Sequence, residues 1–262
     1  MNKNYGLALG WWAARWLAHI WVLKYIHEKK IDITEVSWTS MWAVVAWFYA
    51  IWKSVEEMEE FAKSINYLSM WDPDFRTGLL KWLKIEKKLK EIFWDSNIED
   101  TKIPLKIVAT NLETGEVRVF EKWLIVDAIR ASISLPGIFI PKEIEWEMYI
   151  DGWIMMSLPI EVLSNKNVIA ISALKINKWP IVKHNTFLWM NFKTGFWKNN
   201  FEIIKRSAIL MRKSNEDSSL RTKWKEILFI RPDFKNLDIA DFNKVDEFVD
   251  LWYRETKTNI LV

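Results

Sequence analysis

The stretch "VSWTSMWAVV", residues 36–45, decides the expected fold, because it reads as the end of a strand, a sharp corner and the start of a helix. Ser40 stands at the corner, with Trp38 and Trp42 each two residues away. A backbone that bends this tightly normally carries glycine on both sides of the corner, since a Cβ would collide there. The two bulkiest side chains occupy the places where the smallest residue is expected.

The composition shows the same imbalance. The 262 residues include 19 Trp and only 7 Gly, whereas average usage of about 7% would give roughly 18 Gly. Tryptophans recur at turns and helix ends, as at Trp52, Trp94, Trp146, Trp153 and Trp179, and do not follow the period of a buried stripe. We therefore hypothesise that many Trp stand where the natural protein has Gly, because UGA codons that the source reads as glycine were translated as tryptophan. The alternative is a truly Trp-rich protein with a membrane-interface belt or a sugar-stacking surface.

Charge and composition exclude several classes of protein. A net charge of +3 is too small to indicate a nucleic-acid partner. The absence of cysteine excludes disulfides and thiol chemistry and fits a reducing compartment. The N-terminus lacks the pattern of a signal peptide, and no apolar run reaches 18 residues. We expect a cytoplasmic protein.

Strands and helices alternate along most of the sequence, which predicts an α/β fold with a mostly parallel sheet between helices. No linker or repeat interrupts the chain, so one domain is expected. Strands are predicted at 5–9, 32–37, 104–110, 116–120, 147–150, 167–173 and 226–231. Helices are predicted at 16–29, 41–51, 54–64, 78–93, 123–131, 201–214 and 242–256.

Four segments together resemble the patatin-like phospholipase family, in particular its small bacterial single-domain members. With glycine in place of tryptophan, residues 6–23 become "GLALGGGAARGLAHIGVL" and the corner becomes "VSGTSMGAVV". The other segments are "AIRASISLPGIF" at 128–139 and "DGWIMMSLPI" at 151–160. The resemblance implies a three-layer α/β/α sandwich over residues 1–262, with the catalytic motifs within 5–175 and a C-terminal extension, 176–262, packed on them.

The corner at Ser40 matches the family's nucleophile elbow, G-x-S-x-G, in which Trp38 and Trp42 take the glycine positions. Such an elbow holds the serine in a strained conformation at the N-terminus of a helix, where a negative charge is stabilised. The backbone N–H of Met41 is then a candidate oxyanion donor. The alternative is a serine that only caps a buried helix.

The turn after the first strand matches the family's oxyanion loop. It comprises Gly10, Trp11, Trp12 and Ala13, and the resemblance implies that Arg15 fixes the loop. Successive N–H groups in a glycine-rich turn can converge on an anion. A dinucleotide-binding fingerprint is the alternative, but it predicts a carboxylate at the end of the second strand, where this chain has the serine elbow.

Asp151 ends a strand-like run and enters a turn through Gly152 and Trp153, which match the family's Asp-Gly motif. The resemblance implies a Ser–Asp dyad in which Asp151 accepts the Ser40 proton with no histidine. An ordinary Asp-Gly turn is the alternative. No His, Asp and Glu cluster has the spacing of metal ligands, so neither a metal nor another cofactor is expected.

The expected function is that of a serine acyl hydrolase whose substrate is a lipid or another acyl ester, with no nucleic-acid partner. Peripheral contact with the inner face of the membrane is a further expectation. A non-enzymatic alternative is an inactive hydrolase scaffold that binds a membrane surface or a protein. Labelling of Ser40 by an active-site probe distinguishes the two.

Overall fold

The computed structural model describes residues 3–10, 17–40, 43–51, 57–58, 73–74, 79–80, 83–93, 95–174, 192–231 and 257–258. The described strands are β1 (Asn4–Leu9), β2 (Asp32–Thr39), β3 (Pro73–Asp74), β4 (Leu79–Leu80), β5 (Leu105–Asn111), β6 (Val117–Phe120), β7 (Lys142–Ile144), β8 (Glu147–Asp151), β9 (Asn167–Ile171) and β10 (Glu226–Ile230). The described α-helices are α1 (Leu17–Glu28), α2 (Ala43–Ala50), α3 (Leu83–Phe93), α4 (Ile125–Ser132) and α5 (Phe192–Ser219). Two single-turn 3₁₀-helices cover Ile98–Asp100 and Gly152–Ile154.

A central sheet carries eight of these strands in the order β10-β9-β1-β2-β5-β8-β7, with β6 also paired to β5. The first five strands in that order are parallel to one another. The pairings of β5 with β6, β5 with β8 and β7 with β8 are antiparallel. Short β3 and β4 form a separate antiparallel pair. The fold class is therefore α/β with a mostly parallel sheet, as the sequence predicts.

The sheet is covered on both faces, which follows from the near-continuous apolar character of its central strands. Leu7 and Leu9 of β1 lie in the larger core, with residues of α1, α2, α3 and α4, whereas Ala8 lies in a second core. That second core also contains Leu158 and Leu163. Because successive strand residues point to opposite faces, this division places the two cores on the two sides of the sheet and confirms the sandwich.

Most predicted elements agree with the structure to within about two residues. Helix α5 is longer than predicted. The predicted helix 78–93 is wrong at its start, because Leu79–Leu80 form strand β4 and the helix begins at Leu83. Strands β3 and β7 were not predicted. Of the predicted helix 54–64 only residues 57–58 are described, and both are helical; the predicted helix 242–256 lies outside the described residues. The expectation of one domain over 1–262 stays a prediction. Among the described residues no helix is long and apolar enough to cross a membrane.

Candidate active site

Ser40 follows directly on β2 and adopts the left-handed conformation, with φ of +73°. This region is unfavourable for a residue with a side chain by about 1–2 kcal/mol, so the surrounding structure must hold the corner in place. The Ser40 backbone N–H donates to Ser132 Oγ at 2.7 Å, and the Ser132 hydroxyl donates to the Val108 carbonyl at 2.6 Å. The corner is thus tied through α4 to the neighbouring strand β5. Met41 and Trp42 lie outside the described residues.

The strand register explains why Asp151 meets Ser40. β2 pairs with the first four residues of β5 and β8 with its last three, whereas β6 overlaps both sets. Because a strand has two hydrogen-bonding edges, β2 and β8 must share one edge of β5. Thr39 lies opposite Val108 and Asp151 opposite Ala109. The C-terminal ends of β2 and of antiparallel β8 therefore point at each other across one residue step.

The two side chains are joined by a short hydrogen bond: Ser40 Oγ donates to Asp151 Oδ2 at 2.5 Å. Both residues are buried. The other carboxylate oxygen, Oδ1, accepts the Trp153 backbone N–H at 3.1 Å. The Asp151 backbone N–H donates to the Ser134 carbonyl at 3.0 Å, and the Thr110 hydroxyl donates to the Asp151 carbonyl at 3.3 Å. The carboxylate is therefore fixed at both oxygens, with one of them on the serine.

Burial raises the pKa of Asp151 from its usual acidic range to about 7. The hydrogen bonds from Ser40 and from the Trp153 N–H, together with the positive charge of Arg212, oppose this rise. A carboxylate with a pKa near neutrality is a much better proton acceptor than an exposed Asp with a pKa near 3.9. The geometry and the pKa together suit Asp151 to take a proton from the Ser40 hydroxyl.

Gly152 is a position at which only glycine fits. A Cβ built on it would lie 2.3 Å from the Val108 carbonyl oxygen, which is far inside van der Waals contact. The turn after β8 thus passes directly against Val108 of β5, which keeps Asp151 next to the end of β2. Trp153, which follows, is buried.

Trp38 does not behave as the steric argument from the elbow predicts. Its side chain is fully buried in the larger core, while Ser40 still hydrogen bonds to Asp151. The indole therefore fits beneath the sheet in this structure without displacing the serine. Glycine at position 38 is not required by the conformation of the described residues, and its identity in the natural protein stays a prediction.

Only the first residue of the expected oxyanion loop is described. The Gly10 N–H donates to the Ile171 carbonyl at 2.8 Å, which extends the pairing of β1 with β9. A Cβ on Gly10 would lie 3.1 Å from Leu158 Cδ1 and 3.3 Å from two carbonyl oxygens, so there is little room for a side chain. Trp11, Trp12, Ala13 and Arg15 lie outside the described residues, and their role in the loop stays a prediction.

Several residues around the Ser40–Asp151 pair were not singled out from the sequence. Ser132 and Ser134 lie in the quoted segment 128–139, but the bonds of Ser132 to Ser40 and Val108, and of the Ser134 carbonyl to Asp151, are long-range. Arg130 donates to Ser134 Oγ at 2.5 Å and to the Ile140 carbonyl at 2.8 Å, which braces the backbone that receives the Asp151 N–H. Asn215 of α5 donates to the Ile154 carbonyl at 2.8 Å, just after the Asp-Gly turn. Only the tertiary structure reveals these contacts.

The chain resembles known proteins in both sequence and fold. A family model described as patatin-like phospholipase matches residues 13–164, more than half of the chain. An uncharacterized NTE family protein of Mycobacterium tuberculosis is 34% identical over 180 residues, which are 67% of this chain and 50% of that protein. Lysophospholipase NTE1 of Meyerozyma guilliermondii and human patatin-like phospholipase domain-containing protein 6 are each 24% identical, over 96% and 98% of this chain but only 19% and 20% of their own lengths.

The matched region thus spans about half the length of the mycobacterial relative and about a fifth of the other two. Among solved structures, VipD from Legionella pneumophila superimposes with a TM-score of 0.57 at 12% identity, over 98% of this chain and 66% of that one. This likeness concerns the fold alone. On the match to residues 13–164, the chain belongs to the patatin-like phospholipase family.

Proposed function

We propose that this protein is a serine acyl hydrolase that cleaves lipid esters with a Ser40–Asp151 dyad. The single observation that carries the proposal is the 2.5 Å hydrogen bond from Ser40 Oγ to Asp151 Oδ2 at a left-handed corner. A serine and a carboxylate that formed only a structural hydrogen bond would not need a strained backbone at the serine. The names of two relatives, a lysophospholipase and a patatin-like phospholipase domain-containing protein, support a lipid ester as substrate.

The reaction proceeds in two halves. Asp151 accepts the hydroxyl proton as Ser40 Oγ bonds to the ester carbonyl carbon, and the carbonyl electron pair moves onto oxygen. This oxyanion is stabilised by backbone N–H groups, for which the loop of Gly10, Trp11, Trp12 and Ala13 and the Met41 N–H are the candidates. The tetrahedral intermediate collapses, the ester C–O bond breaks, and the departing alcohol takes the proton from Asp151. Asp151 then takes a proton from a water as the water oxygen bonds to the acyl carbon, and this proton passes to Ser40 Oγ as the acyl–Oγ bond breaks and the free acid leaves.

Arg15 and the two residues that flank Ser40, at positions 38 and 42, have supporting roles. Arg15 fixes the oxyanion loop, and positions 38 and 42 shape the elbow. Gly152 keeps the turn after Asp151 against β5, consistent with the 2.3 Å approach that a Cβ would make to the Val108 carbonyl. The substrate reaches the site from the lipid phase or from dispersed lipid, with the protein in peripheral contact with the membrane surface.

Fluorophosphonate labelling followed by mass spectrometry tests the proposal. The full chain is measured in two forms, the tryptophan-bearing chain and a glycine form with Trp11→Gly, Trp12→Gly, Trp38→Gly and Trp42→Gly. We expect the probe to lose fluoride and attach to Ser40, and turnover of a lysophospholipid to fall at least about 1,000-fold in Ser40→Ala. Asp151→Asn should lose about 100- to 10,000-fold, the usual range for a general base.

Ser37→Ala is the matched control, because Ser37 is a buried serine on the same strand whose hydroxyl donates to the Pro159 carbonyl, away from Asp151. It should keep labelling and turnover. Absence of labelling in both forms, with circular dichroism showing that the protein is folded, would contradict the enzyme and favour a binding scaffold.

A further inference from the structure

Among its described side chains, helix α5 buries several polar residues and leaves several large apolar residues exposed. Arg212, Glu216 and Ser219 are buried. The exposed large apolar residues of the same helix are Ile203, Ile204, Leu210 and Met211. An ordinary surface helix has the reverse arrangement. Because burying polar and charged groups costs free energy unless they are paired, the inward polar face calls for a specific role.

The polar face of α5 docks on the turn that follows the proposed base. Asn215 Nδ2 donates to the Ile154 carbonyl at 2.8 Å and to the Trp153 carbonyl at 3.3 Å. The Arg212 guanidinium lies 5.9 Å from the centre of the Trp153 ring. The N–H of this same Trp153 donates to Asp151 Oδ1. Asn215 and Arg212 therefore both contact Trp153, the residue whose N–H is hydrogen bonded to the Asp151 carboxylate.

Glu216, one helical turn beyond Arg212, is tied to the sheet. It accepts hydrogen bonds from Ser172 Oγ at 2.7 Å and from Arg231 at 2.5 Å, at the ends of β9 and β10. These bonds anchor α5 to the sheet, and the charge of Glu216 is paired with that of Arg231. Arg130 of α4 is bonded to Ser134, whose carbonyl accepts the Asp151 N–H, and to the Ile140 carbonyl.

We propose that α5 belongs to the active site and that Arg212 and Asn215 are positioning residues. Asn215 fixes the turn at Gly152–Ile154 through its backbone carbonyls, and Arg212 holds its guanidinium against Trp153, whose N–H donates to the Asp151 carboxylate. This inference rests on the proposed Ser40–Asp151 dyad and adds two residues that lie 61 and 64 positions beyond Asp151 in sequence. Neither residue is expected to contact the ester.

The two residues should affect different quantities. The positive charge of Arg212 opposes the effect of burial on the pKa of Asp151, which is about 7. Removing that charge raises the pKa, so a larger fraction of the carboxyl is protonated at a given pH and cannot act as a base. Asn215 carries no charge. Its loss frees the turn and spoils the alignment of the carboxylate without changing the charge near it.

The pH profile of kcat/KM tests Arg212. In Arg212→Met, we expect the midpoint of the acidic limb to move up by about one pH unit, with a loss of about tenfold at pH 6 and a much smaller loss at pH 9. Arg212→Lys, which keeps the charge, should restore most of the midpoint. The matched control is Lys213→Met, because Lys213 pairs with Asp217 on the partly exposed side of the same helix. Its profile should not change.

An equal loss at every pH with an unmoved midpoint would show that Arg212 only supports the fold, and would overturn its part of the inference. Repeating Arg212→Met in a Trp153→Gly background separates charge from packing on the ring. If Arg212 acts through its charge, the midpoint shifts in that background too. Disappearance of the shift there would also count against the inference.

Asn215→Ala tests the positioning of the turn. We expect kcat to fall about tenfold with KM nearly unchanged, because the substrate still binds but the base is misaligned. Asn167→Ala is the control, since Asn167 also donates to a backbone carbonyl, that of Asn4, at the far end of the sheet. An unchanged kcat in Asn215→Ala would overturn this part.

Ser40→Ala distinguishes failure of this inference from failure of the proposed function. If Ser40→Ala keeps turnover and labelling, the dyad itself is wrong. If Ser40→Ala is inactive but the Arg212 and Asn215 variants behave like their controls, the dyad stands and only the role of α5 is refuted.

Discussion

Ser132 supplies the contact that lets Ser40 hold an unfavourable backbone conformation. Its hydroxyl accepts the Ser40 N–H and donates to the Val108 carbonyl, and its side chain is fully buried. The sequence motif around Ser40 makes the corner predictable, because the motif is local. Nothing local in the sequence indicates Ser132, which lies 92 residues away.

Ser132→Ala should therefore cost more than the loss of one ordinary hydrogen bond. The change leaves the buried Ser40 N–H without its acceptor and removes a donor from the Val108 carbonyl. We therefore expect the free energy of unfolding to fall by about 2–3 kcal/mol. Labelling of Ser40 should also slow. Ser37→Ala removes a single bond from an equally buried serine and should cost about 1 kcal/mol. Urea denaturation measures both; equal losses would contradict the bracing role of Ser132.

Asp151 should make the protein less stable as the pH rises. The folded protein holds the proton up to a pKa of about 7, whereas the unfolded chain releases it near pH 4. Between these values the unfolded state binds fewer protons, so the stability falls with increasing pH and levels off above about pH 7.

Asp151→Asn removes this dependence. We expect the stability of the variant relative to the parent to increase by about 2–3 kcal/mol between pH 5 and pH 8, as measured by urea denaturation at each pH. Asp95→Asn, at an exposed position, should show no such trend. A constant difference between variant and parent across this pH range would mean that folding does not raise the pKa of Asp151.

The elements show where sequence reasoning succeeds and where it stops. β1 and β9 are short, largely apolar runs, whereas β2 mixes apolar and polar residues; the predicted bounds of all three agree with the structure to within about two residues. The start of α5 was missed because "FKTGFWKNNF" contains Gly, Thr and Asn, which favour helices weakly. The pairing of β2 and β8 along one edge of β5, which brings the site together, depends on long-range register that no local pattern encodes.

The β7–β8 hairpin carries a measurable strain. Its two-residue turn consists of Glu145 and Trp146, with φ of +52° and +68°. This is the conformation of a type I′ turn, whose second residue is normally glycine. Trp146 is 91% exposed, so its ring gains little from packing that could offset the backbone cost.

Trp146→Gly should stabilise the protein by about 1 kcal/mol, because it relieves the left-handed conformation with little loss of buried area. Trp224→Gly is the matched control: Trp224 is also exposed, but its φ is not positive, and it should give no gain. Thermal unfolding compares the two variants. A loss of stability in Trp146→Gly would show that the ring makes contacts worth more than the strain.

At the scale of the whole molecule, the excess of Trp over Gly remains the feature that the fold least explains. Position 146 has a backbone that favours glycine, whereas Trp38 fits fully buried in the larger core. Steric arguments therefore point in opposite directions at two described positions. The motif positions 11, 12 and 42 lie outside the described residues, so the gene itself gives the sharper test.

We expect the gene to read UGA at positions 11, 12, 38, 42 and 153, and the purified natural protein to carry glycine there. Mass spectrometry measures this directly, since each Trp→Gly difference lowers the mass by the same fixed amount. The reason is chemical: an oxyanion loop needs bare N–H groups converging on one point, and indole rings at 11 and 12 would crowd that point. UGG codons at these positions, with a tryptophan-bearing protein that still labels at Ser40, would show that the loop tolerates them and that the excess is genuine.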